Sequence, residues 1–381
     1  MKIYYVVNAR LPTEKAHGIQ IAKMCEALIE AGADIELIAP HRLSAPGDMR
    51  EFYGLRVDVS IKYWWVPDWY GNRIGFVVSS FLFALRYFGH LFWKYHVRRE
   101  DFTIYTTDID QFSFFLIPFL GIPYFVEMHD AKKKTLLFAL LLRRARGIIV
   151  INRIIRRELI ETFALKDDAL IVLPNGVDLS LFQSQESASS ARALLGIPEG
   201  RPVAMYVGRV YGWKGLEILP VAAAKLRDVL FYLVGGTADE MRAIGAMRDR
   251  MENLICMGPQ PFREIPRWLR AANVLIATGT DKNPYSFLHT SPMKLFEYAA
   301  AGRPIVAART PAIADIFTGR GGRGIFFYTP DSADDLARAV RAALADVPAA
   351  ERQAETMANL AALYQWKDRA GKALQFIKHR V

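Results

Sequence analysis

The chain has 381 residues and a mass of 43.1 kDa, with 52% hydrophobic and 23% charged side chains. At about 150 residues per domain, that length predicts two or three domains, and the apolar content excludes a disordered chain. The net charge is +10, and two widely separated cysteines, Cys25 and Cys256, exclude a disulfide framework, a zinc cluster and a CxxC redox motif. A reducing compartment fits this cysteine usage.

The basic excess is spread along the chain. Residues 1–172 carry 23 Lys and Arg against 19 Asp and Glu, and the remainder carries 26 against 20. One stretch is lopsided: from Lys132 to Arg157 there are nine cations and no acid. An anionic neighbour is expected there, either a phosphate-bearing ligand or a lipid surface. The opening Met1-Lys2 and its five apolar successors do not make a secretory signal. Residues 74–93 are apolar but contain Arg86, His90 and two serines, so they predict a buried or interfacial helix rather than a spanning one.

Short apolar runs alternate with longer helical patterns, twice over. In the first half, strands are predicted at 2–8, 34–39, 57–65, 102–106, 124–127, 147–151 and 169–173. Helices are predicted between them at 17–30, 75–98, 131–144 and 152–163. The second half repeats the scheme, with strands at 203–207, 230–234, 254–257, 274–277, 304–307 and 324–327. Its helices fall near 215–227, 239–249, 262–271, 292–301 and 333–345. Runs of this kind are strands buried on both faces, which predicts an α/β fold of two doubly wound parallel sheets covered by helices. The expected domains are residues 1–173 and 174–363, facing each other across a ligand-binding cleft. Residues 364–381 are expected to form a last helix returning toward the first domain.

Several segments carry chemistry at strand ends. His17-Gly18 opens a helix after the first strand, where a small residue and free N–H groups suit a phosphate. Gly208-Arg209-Val210-Tyr211-Gly212-Trp213-Lys214-Gly215 follows the strand at 203–207. Arg209 would leave the strand tip and Lys214 would begin the next helix, so that both cations converge on one anion such as a diphosphate. In the segment 289–304, Ser291 is expected as N-cap and Pro292 as the first helical residue. Glu297 lies about one and a half turns further on, where a carboxylate can accept two sugar hydroxyls.

In this order and spacing the segments resemble the retaining glycosyltransferases of family 4, which have the GT-B fold. Pro12-Thr13-Glu14-Lys15-Ala16-His17-Gly18 is similar to the family's N-terminal loop, and Val126-Glu127-Met128-His129-Asp130 to its histidine segment. Pro174-Asn175-Gly176-Val177-Asp178 resembles its linker, and Tyr364-Gln365-Trp366 the start of its closing helix. The segment 291–304 is similar to the Ser-Pro-x-Lys-x-x-Glu-Tyr form of its donor helix.

The resemblance implies a donor that is a nucleotide-diphosphate sugar, with Arg209 and Lys214 neutralising the diphosphate and Glu297 binding the ribose. The amides around Ser291, Pro292 and Met293 would lie near the phosphates, with Pro292 itself donating none. Gly18 and Gly208 would allow close approach, and His129 would contact the transferring sugar or leaving phosphate. Where the family's usual motif has a glutamate, eight positions before Glu297, this chain has His289, which leaves the donor sugar open. No metal or other cofactor is expected. Asp108-Ile109-Asp110 matches a DxD metal motif but reads better as a strand end and helix cap. The acceptor is expected to be a lipid-linked sugar, an oligosaccharide or a polysaccharide, with the enzyme in the cytoplasm and peripheral on a membrane through the stretch 132–157. Nucleic acid is not expected as a partner, because no recognition motif accompanies the charge. A nucleotide-sugar epimerase, a phosphorylase on the same architecture, and a sugar-nucleotide-binding scaffold with a disabled site are the alternatives.

Overall fold

Buried runs of Val, Ile and Tyr form short strands that only a fully covered parallel sheet can accommodate. The computed structural model describes all residues except 43–46, 70, 108–109, 184–185, 247–250 and 318–323. Two compact units account for the chain: an N-terminal unit of Met1–Pro174 and Trp366–Val381, and a C-terminal unit of Asn175–Gln365.

The N-terminal unit has strands β1 (Lys2–Val6), β2 (Asp34–His41), β3 (Ser60–Trp65), β4 (Thr103–Thr107), β5 (Tyr124–Met128), β6 (Gly147–Val150) and β7 (Leu170–Val172). They pair in the order β3-β2-β1-β4-β5-β6-β7, all parallel. Its helices are α1 (Ala16–Glu30), α2 (Met49–Tyr53), α3 (Arg73–Phe92), α4 (Leu136–Arg144) and α5 (Arg153–Phe163). The strand order reverses between β1 and β4, the switch point at which open α/β sheets bind ligands. Tyr4, Val6, Ile104, Val126 and Ile148 fill the core on one side of this sheet.

The C-terminal unit repeats the plan with β8 (Val203–Val207), β9 (Leu230–Val234), β10 (Leu254–Met257), β11 (Val274–Ala277), β12 (Ile305–Ala308) and β13 (Ile325–Tyr328). These are also parallel, in the order β10-β9-β8-β11-β12-β13, with the switch between β8 and β11. Its helices are α6 (Leu179–Phe182), α7 (Ala188–Leu195), α8 (Ile218–Lys225), α9 (Ala238–Ala243), α10 (Ile265–Ala271), α11 (Met293–Ala300), α12 (Pro311–Phe317), α13 (Ala333–Ala345) and α14 (Val347–Ala361). The last helix, α15 (Trp366–Lys378), belongs to the N-terminal unit, where it packs on α1.

Strand positions agree with expectation to within about three residues; helix starts differ for physical reasons. The helix expected from 131 starts at Leu136, with Thr135 capping it by accepting the Phe138 N–H at 3.2 Å. Three consecutive lysines, Lys132 to Lys134, would oppose the positive helix N-terminus and stay outside it. The helix expected from 215 starts at Ile218, because Gly215 has φ +67° and breaks the helical path. Helices α2, α6, α7, α12 and α14 are additional to the predicted ones.

Where α15 crosses β6, a side chain at Gly147 would come within 2.5 Å of the Phe376 ring and 3.0 Å of the Phe125 ring. Gly147→Ala is therefore expected to destabilise the protein by about 1–3 kcal/mol in thermal or urea unfolding, and Phe376→Leu in the same background should recover part of that loss.

Candidate functional site

The N-terminal unit carries a charged cluster at the end of β5. Glu127 is fully buried, and each of its oxygens accepts more than one hydrogen bond. Oε1 accepts from Gln20 Nε2 (2.7 Å), His129 Nε2 (2.6 Å) and Arg369 (2.7 Å), while Oε2 accepts from the Tyr105 hydroxyl and from Arg369 (3.2 Å). Burial alone would raise the Glu127 pKa, but the Arg369 guanidinium and then His129 overcome it and hold the carboxyl well below its usual range. Because Glu127 is a carboxylate, His129 must present Nε2–H to it, which fixes the imidazole's tautomer and orientation. Arg369, on α15, also donates to the Pro174 carbonyl (2.9 Å) and the Leu173 carbonyl (3.3 Å). Neither Glu127 nor Arg369 is a site candidate from sequence: their partnership spans 242 positions, and no local pattern announces it.

Gly18 is buried in the first turn of α1. A Cβ there would lie 2.3 Å from the Tyr53 hydroxyl and 2.5 Å from Thr13 Cγ2. That hydroxyl accepts from the Thr13 N–H (2.7 Å) and donates to the Thr13 carbonyl (2.9 Å), so the missing side chain lets Tyr53 clamp the N-terminal loop. Of the DxD motif, Asp108 and Ile109 lie outside the described residues. Asp110 closes a turn by accepting the N–H groups of Phe112 and Ser113, both at 2.8 Å. Asn152 caps α5 by accepting the Ile155 N–H at 2.8 Å.

In the C-terminal unit, the tip of β8 and the start of α11 are tied together. The Tyr298 hydroxyl accepts from the Val207 N–H (2.9 Å) and donates to the Val207 carbonyl (3.2 Å). This brings Gly208, Arg209, Lys214, Lys294 and Glu297 into one neighbourhood. Arg209 pairs with Glu240 at 2.7 Å, and its carbonyl accepts from Lys214 Nζ at 3.1 Å. Lys214 also lies over the rings of Tyr211 (4.9 Å) and Trp213 (5.3 Å). Burial, reinforced by Arg209 and opposed by Glu240, lowers its pKa to about 8. Gly208, at φ +133°, leaves room for Lys294, whose Nζ would lie 3.1 Å from a Cβ there.

Lys294 is a site residue that sequence reasoning quotes without assigning a role. Its ammonium sits 3.7 Å from the Tyr206 ring centroid. Burial, and then the charge of Lys214, push its pKa well below the usual lysine value, with Glu297 acting in the opposite sense. Burial raises Glu297 to about 7, and Lys294 only partly offsets this. The Ser-Pro-x-Lys pattern places Lys294 one helical turn before Glu297 and is the signal that could have found it.

Two local expectations need correction. Lys214 does not begin a helix; it closes the 3-10 turn Gly212–Lys214, which the left-handed Gly215 terminates. Ser291 is not the N-cap of α11. Pro292 takes the cap position and Met293 is the first helical residue, while the Ser291 hydroxyl and carbonyl accept from Asn175 N–H (3.3 Å) and Nδ2 (2.8 Å). Ser291 thus fastens the Pro174–Asp178 segment instead of capping. His289 ends the π-turn Tyr285–His289 immediately before these residues. Among the described residues, no group of three or more His, Cys, Asp or Glu side chains is placed to hold a metal ion.

Two family models match this chain: Glycosyltransferase Family 4 over residues 18–181 and Glycosyl transferases group 1 over residues 201–346. The chain belongs to glycosyltransferase family 4. D-inositol 3-phosphate glycosyltransferases are among its relatives: that of Nocardia farcinica is 29% identical over 197 residues, and that of Nocardiopsis dassonvillei 31% over 210. Those alignments take in 47% and 50% of this chain, and 42% and 46% of the two relatives, so the chain spans about half the length of the curated relatives it matches. Among solved structures, sucrose-phosphate synthase from Thermosynechococcus elongatus superposes with a TM-score of 0.77 at 18% identity, covering 100% of this chain and 99% of that one. Anabaena HepE, solved in complex with UDP and glucose, superposes with a TM-score of 0.73 at 17% identity, covering 100% of both chains. The fold is GT-B.

Two pH dependences follow from these sites. Glu297 has a raised pKa, so between its unfolded value near 4.5 and about 7 the folded chain holds a proton that the unfolded chain has released. Stability therefore falls as pH rises through that window. Glu297→Gln should be more stable than the parent by about 2 kcal/mol at pH 8 and indistinguishable from it at about pH 4, read by thermal unfolding. Glu127 has a depressed pKa, so its contribution is present above the unfolded value and fades as pH falls toward the folded one. Glu127→Gln should cost about 3–5 kcal/mol at pH 7 by leaving Arg369 buried without its counter-charge, with the difference narrowing below about pH 4 in urea titrations.

Proposed function

We propose that the protein is a retaining glycosyltransferase that moves a hexose-type sugar from a nucleotide-diphosphate donor to a lipid-linked or polysaccharide acceptor in the cytoplasm. The observation that carries this reading is the concentration of Arg209, Lys214 and Lys294 at the β8–α11 junction. Lys214 and Lys294 repel each other there, and both have depressed pKa values. A diphosphate relieves that repulsion and raises both pKa values back toward the ordinary lysine value, so the donor is bound where the protein's own charges are least satisfied. The UDP and glucose in the HepE complex support the same ligand class.

As the glycosidic bond breaks, negative charge grows on the leaving diphosphate. Arg209, Lys214 and Lys294 stand where it grows, and cations already in place stabilise it without reorganisation. They supply the positive charge, and no metal is required. Glu297 binds the ribose hydroxyls, helped by a pKa near 7 that lets it accept or donate. The amides following Pro292 take phosphate oxygens at the start of α11. His129, oriented by Glu127, contacts the transferring sugar, while Gly18 lets Tyr53 fix the N-terminal loop and Gly208 makes room for Lys294. His289, standing in place of an acid, makes sugar recognition depend on hydrogen bonds from a donor-capable ring.

The experiment is donor turnover across a panel of nucleotide sugars, preceded by thermal-shift screening to find the nucleotide. Arg209→Ala and Lys214→Ala should each lower transfer or donor hydrolysis by about 10²–10³-fold. Unchanged turnover in both variants would reject the assignment. Donor binding with no turnover of any sugar would leave a binding protein, and interconversion of free nucleotide sugars without an acceptor would identify an epimerase.

A further inference from the structure

The largest feature that this reading leaves unused is the outer face of α3. With the turn that follows it (Trp93–Val97), α3 is the one helix among the described residues long and apolar enough to cross a membrane, yet its inner face is built into the N-terminal unit. Phe83, Ala84, Tyr87 and Leu91 are core residues. The Tyr87 hydroxyl donates to the Ser113 carbonyl at 2.7 Å, the Ser79 hydroxyl to the Pro67 carbonyl at 2.6 Å, and Ser80 accepts from Asn8 at 3.1 Å. A helix fixed by such contacts lies along the domain surface and does not leave it.

The opposite face is apolar and open to solvent. Ile74, Val78, Phe81, Leu85 and Phe92 are 79%, 37%, 44%, 46% and 44% exposed, and their spacing puts them on one stripe about five turns long. Beside the stripe runs a groove of about 310 Å³ walled by Val78, Phe81, Leu82, Phe112, Phe115 and Leu137. Leu136, the residue before Leu137 at the first turn of α4, is 90% exposed. An uninterrupted apolar surface of this length is unusual for a face that meets only water.

Its charges select the occupant. From Arg73 to Arg99 there are four Arg, one Lys and no Asp or Glu; the lysine, Lys94, pairs with Glu100 at 3.3 Å, which leaves the arginines as the cations of this face. Arg73 stands at one end of the stripe, Arg98 and Arg99 at the other, and Arg86 on its flank; the exposed Lys133 and Lys134 precede Leu136. By contrast, within 132–157, Lys132 and Arg156 pair with Asp130 and Asp167 at 2.7 Å, and Arg143 is engaged by the Phe163 carbonyl at 2.9 Å. Exposed Trp69 and Trp93 add the amphipathic rings that favour a lipid–water boundary.

We infer that the α3 stripe, with the groove beside it and the exposed Leu136, is the face by which this protein lies on an anionic lipid bilayer. Acyl chains meet Phe81 and Leu85, and anionic headgroups meet the arginines at the helix ends and Lys133 and Lys134. The inference does not rest on the transferase reading, and its test contains no nucleotide sugar, so either can fail alone.

The test is flotation of the full chain with vesicles of phosphatidylcholine alone and of equal parts phosphatidylcholine and phosphatidylglycerol. At low salt the chain should float with the anionic vesicles, at least about tenfold more than with the neutral ones, and salt should weaken the association. The Phe81→Glu/Leu85→Glu variant should lose at least about tenfold of that binding, whereas Leu194→Glu, on an exposed site of the C-terminal unit, should bind as the parent does. Acyl-brominated lipid should quench tryptophan fluorescence in the unmutated chain, a readout that does not depend on how the double variant folds. Any of four results would overturn the inference: no flotation at low salt, full binding by the double variant, no quenching, or retention in the bilayer after an alkaline carbonate wash. A lipid-free dimer that the double variant dissociates would assign the face to a second copy instead.

Discussion

The buried pair Glu127–Arg369 is the constraint on which the N-terminal unit is organised. Its two-point contact draws in Gln20 from α1, Tyr105 from β4, His129 beyond β5 and the carbonyls that follow β7. Five elements of one sheet and its cover thus converge on a single ion pair. Burying two opposite charges is costly unless nearly every lone pair and proton is used, and here they are used. The return is specificity: a neutral core could slide, but a carboxylate with five donors has one position. His129 inherits that fixity, because its ring nitrogen is held by the same carboxylate.

The C-terminal unit follows a different principle. Around Gly208 the chain assembles like charges without enough acid to balance them, and it keeps a half-protonated carboxylate, Glu297, beside them. This arrangement raises the energy of the unliganded fold. Tyr298, bridging both backbone groups of Val207, holds it together regardless, because the tie is made by uncharged groups indifferent to the local field. Rigidity and charge are supplied by different side chains, so the site stays preorganised while its electrostatics remain unsatisfied.

How much of this is legible in the sequence depends on range. Fully buried parallel strands leave continuous apolar runs, so β8, β9 and β11 are found at their residue limits. Arg209, Lys214 and Glu297 are readable because glycines and a Ser-Pro step mark the strand and helix ends beside them. Ser291 misleads because its hydroxyl has two possible partners, the helix it precedes or a distant backbone, and only the fold shows that Asn175 wins. Lys294 is hidden by the ordinary expectation that a helical lysine is solvated. The outer face of α3 is hidden for the opposite reason: its residues look like core, and composition cannot say which apolar face is covered.

One consequence concerns the order in which the chain is made. Arg369 sits in residues 366–381, which follow the whole C-terminal unit along the chain yet complete the N-terminal one. A ribosome therefore delivers Glu127 some 240 residues before its counter-charge. Throughout that interval α1 has no α15 to pack on, and the first unit to emerge is the last to be finished.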